Sequence, residues 1–157
     1  MRKILFILTS LVCILLTSCN RKEVYSAFHT LPSFGWEQDS ILEYTLNAPD
    51  TINDYELLII LRHTERYPYQ NFWMFVGEKH GNLHMHTDTI ECTVADNHGR
   101  WLARGLHHHE LPLLYKSHYR FPVEGEYTIT IQQGMRTDCL PGIVDVGLII
   151  QQKNEQE

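Results

Sequence analysis

Tyr127-Thr128-Ile129-Thr130-Ile131 alternates a large apolar residue with a polar one at every step. Successive side chains of a strand point to opposite faces, so this period of two reads as a β-strand with one face buried and the other in water. Pro122 to Gly125 ahead of it and Gly134 to Gly142 behind it hold the residues that turn a chain.

Outward from this stretch the same reading repeats. Leu42, Tyr44 and Leu46 point inward, Glu43, Thr45 and Asn47 outward, and Asn47-Ala48-Pro49-Asp50 supplies a turn. Tyr55 to Arg62 and Phe72 to Val76 are apolar on both parities, as strands covered on both faces would be. Between them Arg66-Tyr67-Pro68-Tyr69-Gln70 is a loop or bulge, because Pro68 cannot donate to a ladder. Gly77 to Gly81 then turns the chain into a long strand, Leu83 to Ala95, with Ile90, Cys92 and Val94 inside. Asp96-Asn97-His98-Gly99 suits a hairpin turn, and Arg100 to Leu106 is the expected returning strand. A histidine-rich loop, His107 to Glu110, precedes strands at Tyr115 to Phe121 and, after the opening stretch, at Ile143 to Gln151.

No window joins helical periodicity to a cap and adequate length. Eight or nine strands at this spacing predict an all-β fold, an antiparallel two-sheet β-sandwich of jelly-roll or immunoglobulin-like type. The expected organisation is a signal over residues 1–18, a lipidated tether and first edge strand over 19–38, the sandwich over 39–152 and a polar tail over 153–157.

The amino end carries a different message. Arg2 and Lys3 precede an apolar run, Ile4 to Leu16, that closes on Leu16-Thr17-Ser18-Cys19. As a helix the run would rise about 20 Å, short of the roughly 30 Å hydrocarbon core, so it reads as a targeting signal and not a span. A leucine three residues before a cysteine, with small residues between, is the pattern of a bacterial lipoprotein, and Cys19 is the expected lipidation site. One acyl chain holds a protein only marginally, whereas two or three make attachment stable. No acidic run follows Cys19, which favours a protein facing the periplasm.

Loss of residues 1–18 from the 157 would leave 139, enough for one core, and would move the formal charge from −6 to −8. An acidic surface argues against nucleic acid as a partner and leaves membrane attachment to the lipid on Cys19. Cys92 and Cys139 remain as a candidate disulfide in an oxidising compartment, the alternative being two separate thiols.

Signals for chemistry are sparse. His84 and His86 share a strand face, and His107, His108 and His109 share a loop, but no metal-binding helix motif or paired-cysteine motif accompanies them, so no metal is assigned. There is no nucleophile elbow and no phosphate-cradling glycine loop; neither catalytic residues nor a cofactor are expected. Aromatic residues are the better lead. Tyr67, Tyr69, Phe72 and Trp73 cluster round a proline: Phe72 and Trp73 are assigned to the core, while Tyr67 and Tyr69, with Trp101, are candidate contacts for a partner protein or a glycan.

Several of these stretches together resemble a known family. They are Tyr67 to Trp73, Asp88-Thr89-Ile90-Glu91-Cys92, Asp96 with Gly99-Arg100-Trp101-Leu102, Arg120-Phe121-Pro122 with Gly125 and Tyr127, Gln133-Gly134-Met135-Arg136, Leu140-Pro141-Gly142-Ile143 and Asp145-Val146-Gly147. Their order and spacing, with the cysteine motif, resemble the gliding motility-associated GldH lipoproteins of Bacteroidetes. The resemblance implies an envelope lipoprotein linked to the gliding machinery and the associated type IX secretion apparatus, with envelope proteins as partners and no enzymatic activity. Within these stretches Arg100, Arg120, Arg136 and Asp145 are either a structural ion-pair set or a docking surface. The expectation is a non-enzymatic interaction module, with a carbohydrate-binding lipoprotein as the alternative.

Overall fold

The computed structural model describes residues 22–105 and 107–153. The expected signal, the lipidation site at Cys19 and residues 154–157 of the tail lie outside these residues. Ten strands are formed: β1 (Glu23–Thr30), β2 (Trp36–Glu37), β3 (Ile41–Asn47), β4 (Tyr55–His63), β5 (Asn71–His80), β6 (Leu83–Thr93), β7 (His109–Tyr119), β8 (Glu126–Gln133), β9 (Cys139–Leu140) and β10 (Ile143–Gln152).

Two four-stranded sheets, ordered β1-β10-β4-β7 and β3-β8-β5-β6, face each other, and β2 pairs with β9 in a small third sheet. Every pairing is antiparallel. The pairs β1·β10, β2·β9, β3·β8, β4·β7 and β5·β6 nest inside one another, as in one long hairpin folded at β5·β6. The contacts β10·β4 and β8·β5 then wrap that hairpin on itself. Nesting plus wrapping is the arrangement of a jelly roll, which settles the choice left open with the immunoglobulin-like order.

The opening stretch behaves as its period predicts. Tyr127, Ile129 and Ile131 on β8 are buried, and Thr128 and Thr130 are only half-buried. Leu42, Tyr44 and Leu46 on β3 follow the same rule. These side chains meet Leu57, Ile59, Leu61, Val146, Leu148 and Ile150 from the opposite sheet in one core. The Tyr44 hydroxyl crosses the core and donates to Val146 O at 2.8 Å, and burial pushes its phenol pKa well up. At Gly147 any side chain would collide with the Phe28 ring, which lies 2.4 Å from where its Cβ would stand. Arg62 in turn places its guanidinium 4.6 Å from the centre of that ring.

Several local expectations are corrected. Phe72 to Val76 is not covered on both faces: Phe72, Met74 and Val76 are core, whereas Trp73 and Phe75 are 37% and 40% exposed. Among the described residues no sheet lies over that outer side. Gly77 lies within β5 and not in a turn, because Gly77 pairs with Thr87 and Thr130 on its two neighbours. Among the described residues no strand forms over Arg100 to Leu106. Single bridges, Ala95 to Trp101 and Arg104 to Glu110, stand in its place. The histidine-rich loop ends early, since His109 already pairs with His63 at the start of β7.

Candidate functional site

The loop between β4 and β5 places most of the aromatic residues singled out in the sequence. Thr64 opens it, donating its amide to Gly142 O at 2.8 Å and accepting from Tyr67 N at 3.1 Å through its carbonyl. Gly142 has a φ of +85°, and a Cβ there would lie 2.3 Å from Tyr67 N. Only glycine allows the two loops to approach so closely. The result throws Tyr67 inward. It is 2% exposed, its hydroxyl donates to Asn71 O at 2.6 Å, and burial pushes its pKa well up. Tyr67 is therefore a core residue and not a surface contact; the proline-bearing loop lies at the surface, but its tyrosine turns under it.

Tyr69 stays out, 39% exposed, with its ring edge-on to that of Tyr67 at 5.8 Å. Asn71, Trp73 and Phe75 continue along the outer row of β5. Tyr69, Asn71 and Trp73 line one wall of a groove of about 440 Å³, and Gly134, Met135 and Arg136 line the other. The second wall is held from within by Gln133, a buried side chain that accepts from Met135 N at 2.9 Å and donates to Thr137 O at 3.0 Å. Gly134 N donates to Trp73 O at 2.8 Å, Trp73 N to Met135 Sδ at 3.3 Å, and Gln38 Nε2 to Met135 O at 3.2 Å. Five backbone groups along the groove, Trp73 N and O, Gly134 N, and Met135 N and O, are thus already engaged.

The four charges weighed from the sequence separate here. Arg100 pairs with Asp96 at 2.7 Å, Arg120 with Asp54 at 2.6 Å, and Asp145 accepts from Thr30 at 2.6 Å and lies 3.8 Å from Arg62. Those three belong to the fold. Arg136 is exposed and makes no ion pair among the described residues.

Trp101 takes a different role from the contact expected of it. Its Nε1 donates to Glu65 Oε2 at 2.7 Å, and Glu65 Oε1 lies 2.6 Å from His109 Nε2. Glu65 thereby clamps the β6–β7 connection onto the β4–β5 loop, and these hydrogen bonds hold its carboxyl below the usual range. His63 is enclosed under the clamp, its ring 4.6 Å from that of Trp101 and 5.1 Å from that of His109. Its Nδ1 faces Thr64 O at 3.2 Å, which makes Nδ1 the protonated nitrogen and leaves the buried Nε2 without a partner. Burial holds the His63 pKa below its ordinary value.

A second polar constellation closes the side of the sandwich between β6 and β7. Glu78 stands on the core-facing row of β5, buried, and accepts a short hydrogen bond from the Tyr119 hydroxyl. His86 Nε2 lies 3.7 Å from Glu78, 3.5 Å from Asp88 and 2.9 Å from Lys116 Nζ, and Tyr115 donates to Asp88 at 2.6 Å. Burial first, then the neighbouring carboxylates, pushes the Tyr115 and Tyr119 phenols well up. Sequence reasoning missed Glu78 because a carboxylate on an inward row has no signal beyond its parity with Phe72, Met74 and Val76.

The remaining candidates fall apart in space. Cys92 and Cys139 are free thiols, not a disulfide: Cys92 Sγ is 3.5 Å from Phe72 O in the core and Cys139 Sγ is 3.7 Å from Phe34 O beside the small sheet. His84 contacts Thr87 at 3.2 Å, away from His109. Among the described residues no group of three or more His, Cys, Asp or Glu is placed to hold a metal ion.

The family model described as GldH lipoprotein matches residues 23–150, which takes in both large sheets. Over 149 residues the chain is 31% identical to a gliding motility lipoprotein GldH homolog of Christiangramia forsetii, covering 90% of this chain and 91% of that one. It is also 31% identical over 152 residues to the gliding motility lipoprotein GldH of Flavobacterium johnsoniae, with 92% and 94% covered. Among solved structures, dimeric latent PorU of Porphyromonas gingivalis overlaps 87% of this chain and 14% of its own at 8% identity, with a TM-score of 0.35, too low to support an argument.

Proposed function

The chain belongs to the GldH lipoprotein family, and on that premise we propose that it is a non-enzymatic component of the gliding motility machinery, anchored through lipid on Cys19 and acting by contact with other envelope proteins. The observation that carries this reading is the extent of the likeness: the GldH lipoprotein and the GldH homolog each align with at least nine-tenths of this chain and of their own length. The internal chemistry agrees with a binding role. Glu78 and Asp88 are engaged by Tyr119, Tyr115, His86 and Lys116, an arrangement that supports this reading.

Placement at the periplasmic face and a link to the type IX secretion apparatus complete the proposal. Deleting the gene and restoring it as wild type or as Cys19→Ala tests it. The deletion should abolish spreading on agar and reduce secretion of type IX substrates. Cys19→Ala should release the protein from the membrane fraction and fail to restore either. Normal spreading and secretion in the deletion strain would overturn the assignment.

A further inference from the structure

We infer that the groove between Trp73 and Arg136 binds a sugar residue that carries a carboxylate, within an acidic glycan. This goes beyond the protein-contact role proposed above and does not depend on it. Three features of the groove lead to this ligand.

The first is its aromatic wall. Tyr69 and Trp73 are each more than a third exposed, on the outer face of a sheet over which no other sheet of the described residues packs, and Phe75 extends the row. Sugar rings offer apolar faces of C–H groups that stack on such side chains, with the ring hydroxyls left at the edge. The second is the cation. Arg136 stands on the opposite wall without an acidic partner among the described residues, while Arg100 and Arg120 of the same chain are paired at 2.7 and 2.6 Å. A guanidinium grips a carboxylate through two parallel hydrogen bonds, so an acidic sugar uses it more fully than a neutral one.

The third feature selects a sugar over an extended peptide. A peptide strand is held chiefly by main-chain hydrogen bonds at a sheet edge. Here β5 is an inner strand, bonded to β6 and β8, and Gly134 N, Met135 N, Met135 O and Trp73 N are all engaged internally. What the groove offers is side-chain faces and the Arg136 cation, which has no acidic partner among the described residues. Glu91, the cross-strand neighbour of Trp73, is held by Asn71 Nδ2 at 2.6 Å. The ligand carboxylate therefore lies toward Arg136.

The test uses the full-length protein in a detergent without a sugar headgroup. Calorimetric titration with oligosaccharides of glucuronate, galacturonate and mannuronate is set against neutral oligosaccharides of the same length. Acidic members should bind about tenfold more tightly than their neutral counterparts, which is the scale of one charge-assisted pair. Arg136→Gln should bring the two classes level, and Trp73→Ala should remove binding of both while circular dichroism stays unchanged. No binding by any acidic oligosaccharide at millimolar concentration overturns the inference, as does binding untouched by either substitution. Dimerisation in detergent that Trp73→Ala abolishes would assign the face to a second copy of the chain and overturn it equally.

Discussion

The molecule holds two concentrations of aromatic and charged residues that look alike in composition and differ in what their polar groups have to bind. At the β6–β7 side, Glu78, His86, Asp88, Tyr115, Lys116 and Tyr119 satisfy one another across the gap between the sheets. Beside the outer face of β5, Tyr69, Trp73 and Arg136 surround a groove in which Trp73 N and Met135 N are engaged, while Arg136 makes no ion pair among the described residues. A buried polar group without a partner costs free energy, so the first set is required to close on itself. Exposed groups carry no such debt and are free to meet a ligand. Residue type therefore marks neither region as functional; the state of the partners does.

The sharpest way to break this comparison is to open the closed network. Tyr119→Phe removes the hydroxyl that holds the buried Glu78 carboxylate, and should lower stability by about 1.5 to 3 kcal/mol. Urea unfolding with Tyr119→Phe indistinguishable from wild type would show that Glu78 is not bound as described.

Acidity probes the clamp around His63. The folded pKa of His63 is depressed by burial below the unfolded value of 6.5, so its contribution is fully present above pH 6.5. As pH falls below 6.5 the unfolded chain takes up a proton that the folded state refuses. Stability then declines, by at most about 1.4 kcal/mol per pH unit, until the folded pKa is reached. Asp54, Asp88 and Asp96, held low mainly by hydrogen bonds, lose their contribution only below about pH 4. His63→Phe should flatten the profile just below pH 6.5, as followed by urea midpoints.

The groove should respond in the opposite sense. Trp73→Ala, at a side chain already more than a third exposed, should cost about 2 kcal/mol in thermal unfolding, less than a fully buried aromatic, yet remove ligand binding. Arg136→Gln should leave stability within about 0.5 kcal/mol of wild type. A large loss of stability from either change would make the groove a structural element and erase the distinction between the two regions.

Much of this was legible in the residues. The alternation in β3 and β8 placed Leu42, Tyr44, Leu46, Tyr127, Ile129 and Ile131 in the core, and the structure agrees at each. Tyr67 and Trp73 depart from their local pattern in opposite directions. A proline-bearing loop predicts an exposed tyrosine, but the close pass of Gly142 turns Tyr67 into the core. An unbroken apolar run predicts burial on both sides, but among the described residues no sheet lies over the outer side of β5. Of the candidate contacts only Tyr69 reaches the groove, and Arg136 became distinctive once Arg100, Arg120 and Asp145 were seen to have partners.

By itself the sequence determined the strand-rich fold and the inward parity along β3 and β8, because the period of a side-chain pattern is a local property of the backbone. The nesting of β1·β10 through β5·β6, the two outer faces and the difference between a sealed network and an open groove were decided only by the tertiary structure. Those depend on which strand lies beside which and on whether a second layer covers a face. Both are set by contacts between residues far apart in the chain, about which a local pattern carries no information.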